Sequence, residues 1–378
     1  MRKMIVTLIL LALIGAFVAH PAMAKEPDKS GGEDTDPAGG VKSIEERVRE
    51  LEEAAGRTVT GDRWYDRIKI SGLIEVEAGY GETDVKDPTA EDEETSDVDL
   101  AAVELGVDAK IADHVDGHAL IKFEDDDVFI DEGFIALTGS ESIPVYLTAG
   151  RQYIPFGNFD SFFVTDPNTL VLGETNEGAV IVGYRFLSDT IDVSAGAFNG
   201  EAQKAGDDDA VDSFVAAVTV QPFEGLNLGV SYTSNLAGSD SFNDEVVDPD
   251  NLDALVGAWS AFVTFEFLER FKLIGEYVGA MDNFKAGEIY DPSDPIERQP
   301  SAWNVELGVG LTEALEVALR YGGSDDGGNT FLPETQYGAV VNWGFFDNTN
   351  LALEYLHGEF EDDYQETDSV TAQLAVEF

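Results

Sequence analysis

Residues 68–80 read "IKISGLIEVEAGY", and every second side chain is apolar or small: Ile68, Ile70, Gly72, Ile74, Val76, Ala78 and Tyr80. Between them stand Lys69, Ser71, Leu73, Glu75, Glu77 and Gly79. A period of two is the mark of a β-strand with unlike faces. The stretch is about twice the usual strand length of roughly 5–6 residues. A strand crossing a bilayer at a tilt needs roughly 9–11. This one can therefore span, with its oily side toward lipid and Lys69, Glu75 and Glu77 toward water.

The pattern keeps returning. Ala101, Val103, Leu105, Val107, Ala109 and Ile111 alternate with a face carrying Glu104 and Asp108. Trp303, Val305, Leu307, Val309 and Leu311 alternate with a face carrying Glu306, and residues 335–345 and 369–378 repeat the arrangement. Arg320 belongs to the wet face of the segment 315–323. A soluble sandwich also alternates, but its strands are short and its outside is charged.

The connections differ in kind. Short turns are expected at 112–116, 139–143, 187–190, 221–225, 268–270, 312–315 and 346–348. Long, mostly acidic loops are expected at 81–97, 153–177, 200–212, 236–254, 281–301, 324–334 and 360–368, with a tight exception near 125–127. This asymmetry belongs to outer-membrane barrels. The expected fold is all-β: a transmembrane antiparallel β-barrel of sixteen strands over 62–378, with both ends on the periplasmic side. Tyr80, Tyr232, Tyr321 and Tyr355 fall at loop ends of strands, and Trp343 and Phe378 at turn ends, as interfacial girdles require.

Ahead of the barrel, residues 1–24 read as a signal peptide, with Arg2 and Lys3, an apolar stretch from Ile5 to Val18, and Ala22-Met23-Ala24. Residues 25–42 read as a flexible acidic Gly/Pro linker. Residues 43–57 read as a short coiled-coil-like helix, with a Ser43/Glu46 capping box and a stripe of Ile44, Val48, Leu51 and Ala55. Such a helix either lies on the barrel or joins a trimer; the residues favour neither.

Composition excludes several functions. The chain has 22 basic and 75 acidic residues, a net charge of −53, which rules against nucleic-acid binding. There is no cysteine, hence no disulfide and no thiolate site. The histidines beyond the signal segment are His114, His118 and His357, and no G-x-S-x-G or H-E-x-x-H occurs, so no catalysis is expected. Asp248, Asp250 and Leu252 break the EF-hand pattern, so no resident metal or cofactor is expected. The acid excess reads as solvation; bridging of the outer loops to lipopolysaccharide by divalent cations is the alternative.

Sixteen strands enclose more space than side chains fill, so the interior is expected to be an aqueous channel. A plugged transporter needs about 22 strands and a plug domain. One loop stands apart, "YIPFGNFDSFFVTDPNTLVLGETNE" over 153–177, because it carries Phe156, Phe159, Phe162, Phe163, Val164, Leu170, Val171 and Leu172. That apolar surface needs something to pack against. We expect it to fold into the bore and narrow it, with Phe156, Asp160, Asp166 and Glu174 at the passage and Lys122, Arg151 and Arg185 opposite. Packing on a neighbouring subunit is the alternative.

The stretches "GRQYIPFGNFDSFF" and "DPNTLVLGET", with "RIKISGLIEVEAGY", "VELGVDAKIADHVDGHALIKFEDDD" and "SIEERVRELEEAAG", closely resemble the LbtU-type siderophore porins. The resemblance implies an outer-membrane barrel that takes up a ferric siderophore without energy coupling. Its partners would be outer-membrane lipids, lipopolysaccharide and a small solute, and porins suggest a homotrimer. An acidic lumen favours a cationic or neutral chelate. A general cation-preferring diffusion porin, or a structural envelope barrel tethered through its N-terminal helix, are the competing readings.

Overall fold

In the computed structural model, residues 67–86, 92–124, 127–206 and 211–378 are described. The expected signal segment, linker and helix lie outside them. Sixteen antiparallel strands close into a barrel, each paired to its chain neighbours and the first to the last. They are β1 (Ile68–Val85), β2 (Glu93–Ala112), β3 (Val115–Glu124), β4 (Asp127–Ser140), β5 (Ile143–Tyr153), β6 (Asn176–Phe186), β7 (Ile191–Phe198) and β8 (Ser213–Phe223). The circuit continues with β9 (Leu226–Thr233), β10 (Ala258–Phe267), β11 (Phe271–Ala280), β12 (Ser301–Gly310), β13 (Leu315–Asp325), β14 (Thr335–Phe346), β15 (Thr349–Glu359) and β16 (Gln365–Glu377). Two short helices lie in the outer loops, α1 (Asn168–Gly173) and α2 (Asp240–Asn243).

The register carries the alternation from strand to strand. Lys69 stands opposite Asp108, and Glu104 opposite Lys122, so one set of charged side chains shares the inner face. Ile74 stands opposite Val103 and Val376 on the outer face. The outward side chains are open on the isolated chain: Val128 is 70% exposed, Ile70 62% and Leu319 58%. Inward ones on β12, β13 and β15 are the reverse, with Glu306, Arg320 and Glu354 exposed by only 0, 2 and 2%. A surface this apolar around an interior this charged suits a hydrocarbon solvent.

Strand bounds match the expected ones closely except at one seam. β1 and β2 run several residues further than the alternation reached, and β16 starts earlier, at Gln365. The added residues are acidic, a class depleted from strands. They pair nevertheless, Glu82 with Glu94 and Asp368, and Asp84 with Glu366. A ladder already in register continues past the point where composition would end it, although like charges face each other across it. Lys86 offsets part of this, its Nζ 2.9 Å from Glu366.

Turns at the other end are tight and left-handed. Leu187, Ser188 and Asp189 all have positive φ, as do Leu268 and Glu269, which turns the chain in the sense that matches strand twist. The barrel seam is closed by Gly72 and Phe378, whose backbones exchange hydrogen bonds of 2.9 and 3.0 Å. The Phe378 ring lies directly over Gly72, where any side chain would collide with it.

Candidate functional site

The loop between β5 and β6 does not project outward. It enters the bore and runs along the inner wall from β9 to β15. Gly157 has φ 78°, which lets the chain turn inward, and its N–H donates to Ser231 Oγ at 3.0 Å. Three wall carboxylates then take successive loop amides. Glu276 on β11 accepts the N–H groups of Asn158 and Phe159 at 2.8 and 2.9 Å. Glu306 on β12 accepts from Phe162 N–H at 2.8 Å and from Ser161 Oγ at 3.0 Å. Glu354 on β15 accepts from Val164 N–H at 2.7 Å, and from both the N–H and the hydroxyl of Thr165. A loop laid on a wall would strand its N–H groups away from water; the carboxyl oxygens satisfy them.

Arg320 on β13 ties the same segment by its carbonyls. Its Nε donates to Glu306 at 2.9 Å, Nη2 to Ser161 Oγ at 2.6 Å and Thr165 O at 2.9 Å, and Nη1 to Asp166 O at 3.3 Å. The guanidinium stacks 4.3 Å from the centre of the Phe163 ring. The buried charge is thus matched by a buried carboxylate and by nearly its full donor capacity.

Aromatic residues fill the space beneath. Phe163 packs with Ala318, Val340, Ala352 and Leu356, while Phe162 lies on Gly308, the position without a side chain that makes room for it. Phe156 and Leu172 join Leu236, Phe242, Phe284 and Leu332 of the other outer loops in a second cluster. One side of the bore is therefore filled. Along β1 to β3, Lys69 and Asp108 are exposed and Glu75, Glu77, Glu104 and Lys122 half-buried, so this part of the wall keeps access to solvent.

The expected residues are distributed accordingly. Lys122 is on the open wall, its Nζ 3.0 Å from Glu124, and within electrostatic reach of Asp166 and Glu174 on the loop. Asp166 is exposed by area yet enclosed by the wall; loss of bulk solvent raises its carboxyl, while Arg320 and Lys122 pull it down. Burial pushes the Glu174 carboxyl up to about 8, and Asp166 and Asp240 add to it. Asp160 lies 3.8 Å from Lys272, a cation the alternation did not single out.

Two expectations need correction. Phe156 is only 2% exposed and anchors the loop; it does not line a passage. Arg185 sits at the turn end of β6, 3.2 Å from Asp192 and over the Tyr146 ring, remote in the strand from the loop. Arg151 is exposed at the loop end of β5. Of the basic face, Lys122 stands within electrostatic reach of Asp166 and Glu174, and Arg151 of Glu177. Glu306 and Arg320 do face inward, but the loop covers them. Glu276 and Glu354 were missed, and their only sequence signal is an inward charge beside an outward tyrosine, Glu276-Tyr277 and Glu354-Tyr355. His114 turns a hairpin with φ 66°, and His118 is held between Asp108 at 2.7 Å and Glu132 at 3.2 Å. His357 lies 3.1 Å from Asp368 on the outer face.

The fold is that of porin-type barrels. It superposes on the outer membrane channel DcaP of Acinetobacter baumannii with a TM-score of 0.60 at 14% identity, covering 82% of this chain and 97% of that one. Salmonella typhi OmpF, in a complex with daunomycin, gives a TM-score of 0.58 at 12% identity over 82% and 97%. In sequence the chain is 22% identical over 306 residues to a UPF0422 protein of Coxiella burnetii, covering 77% of this chain and 64% of that protein. The chain thus spans less than two thirds of that relative's length. No protein-family model matches it.

Proposed function

We propose that the chain is an outer-membrane porin for passive uptake of small cationic or neutral solutes. The observation that carries this is the inward loop, fastened along β9 to β15 so that an acidic bore stays open along β1 to β3. On this reading Asp166 and Glu174 on the loop stand within electrostatic reach of Lys122, Asp160 lies by Lys272, and Lys69, Glu75, Glu77, Glu104 and Asp108 line the remaining wall. Acid exceeds base on both sides, which concentrates cations. The resemblance to LbtU-type porins supports a ferric chelate of neutral or positive charge as cargo.

The partner surfaces follow the outer face. Strands β9 to β15 each carry a tyrosine or tryptophan (Tyr232, Trp259, Tyr277, Trp303, Tyr321, Tyr337, Tyr355), whereas β2, β3 and β4 carry none. The first arc meets lipid and lipopolysaccharide. The second, smooth and apolar, suits the contact of a homotrimer.

Planar-bilayer recording in a KCl gradient tests the reading: stepwise conductance with a reversal potential on the cation side is expected, and an anion-selective channel overturns the charge argument. Growth on a ferric siderophore as sole iron source, with and without the gene, then separates siderophore uptake from general diffusion.

A further inference from the structure

Where the loop returns to β6, three segments converge at the loop end of the barrel. Asp131 occupies a bulge of β4, Glu174 and Asn176 end the loop, and Asp240 begins α2. Asn176 joins them. Its Nδ2 donates to Asp131 O and Oδ1 at 3.0 and 3.2 Å, and its backbone N–H donates to Asp240 Oδ1 at 3.1 Å. The Asp240 N–H donates to Glu174 O at 2.9 Å, and the Tyr153 hydroxyl to Asp131 Oδ2 at 3.4 Å. Glu177 stands beside them, its Oε2 accepting Gly178 N–H at 3.3 Å.

This cluster has a floor and a rim. Asp131, Asn176 and Glu177 are exposed by 7, 3 and 8%, while Asp240 and Glu201 are open to solvent. Arg151 lies within electrostatic reach of Glu177 and Asp240, and Lys122 of Glu174, so two cations stand among five carboxyl groups, of which Glu174 keeps its proton at neutral pH. A separate observation concerns Asn176. Its Oδ1 is buried and has no hydrogen-bond partner among the described residues. An amide oxygen taken out of water without a donor carries an unrecovered desolvation cost. The floor offers acceptors and asks for donors. Among the described residues no three acidic or histidine side chains stand close enough together to hold a metal ion. An unpartnered amide oxygen calls for an N–H or O–H donor, and the surrounding carboxyl groups favour a donor that carries positive charge.

We propose that Asp131, Asn176, Glu174, Glu177 and Asp240 form a binding subsite for the ammonium or guanidinium group of a cationic solute on its way into the bore. The subsite rests on the porin reading and narrows its substrate class. It works by hydrogen bonds as well as charge: Asn176 Oδ1 accepts one N–H, neighbouring carboxyl groups accept the others, and the rim acids draw the solute in.

The test is single-channel recording of the full chain with putrescine added on the loop side, and with its hexamethyl bis-quaternary analogue, which has the same charge and no N–H. Putrescine should interrupt the potassium current, the analogue should not, and Asn176→Leu should raise the half-blocking concentration at least tenfold. Asp131→Asn, which keeps the side-chain shape, serves as the second variant, and migration on gels with and without heating confirms that each barrel is folded. Equal block by the two amines, no block, or unshifted block in both variants overturns the subsite and leaves the porin reading in place. A folded wild-type barrel that does not conduct overturns both.

Discussion

Arg320 is the residue on which the packed loop depends most directly, because it bonds Ser161, Thr165 and Asp166 while neutralising Glu306. Both side chains of that pair are fully buried, 0% exposed each. Removing one partner of a buried pair typically costs about 3–5 kcal/mol, since the other charge is left without compensation. Arg320→Met should lower the thermal unfolding temperature in detergent and add open-channel noise, and Arg320→Lys should recover little, because an ammonium lacks the planar fork. Unchanged melting and a quiet trace would show that the loop is held by other contacts. Glu174 supplies a pH response. Its carboxyl is raised from 4.5 to about 8, chiefly by burial, so the packed loop favours the protonated form. The stability this contributes is whole below 4.5 and is lost as pH rises through about 8. Between pH 7 and 9 the potassium-to-chloride permeability ratio should climb as the charge appears, and Glu174→Gln should flatten the curve in reversal-potential measurements.

At the scale of the element, the loop is held by repetition. Glu276, Glu306 and Glu354 take the amides of 158 and 159, 162, and 164 and 165 in turn, so no single bond decides where it lies. Strand pairing does not run through this segment, and deletion of 158–172 should leave a folded barrel with severalfold higher single-channel conductance. Equal conductance would remove the loop from the passage. Gly308→Val should be milder in conductance but visible in stability, since it takes the seat of the Phe162 ring. That the loop packs inward was legible from its phenylalanines, which a solvated loop does not carry; the first outer loop, with nine carboxylates over 82–99, shows the contrast. Its fastenings were not legible. A carboxylate on a wet face looks the same in sequence whether water or a loop amide covers it.

For the whole molecule, the decisive relation is inverted burial, with apolar groups outside and ionised groups within. Purified protein should need detergent, run faster on gels before heating than after, and keep its β circular-dichroism signal well above room temperature. A freely soluble product whose β signal vanishes on mild warming would contradict the barrel in a membrane. Closure also explains the long acidic strands at the β1–β2–β16 seam. Once the register is set within the apolar zone, the ladder extends outward at little further entropic cost, even through residues that would not start a strand.

By itself the sequence determined the number of strands, the face each presents, the ends at which turns and loops fall, and which loop differs, because a period of two and a local excess of phenylalanine are properties of neighbouring residues. Tertiary structure alone decided that the loop lies against β9 to β15, that Phe156, Glu306 and Arg320 serve as fastenings, and that Arg185 stands away from it. Those facts are made by contacts such as Phe159 with Glu276 and Val164 with Glu354, 117 and 190 residues apart, and no local pattern encodes them.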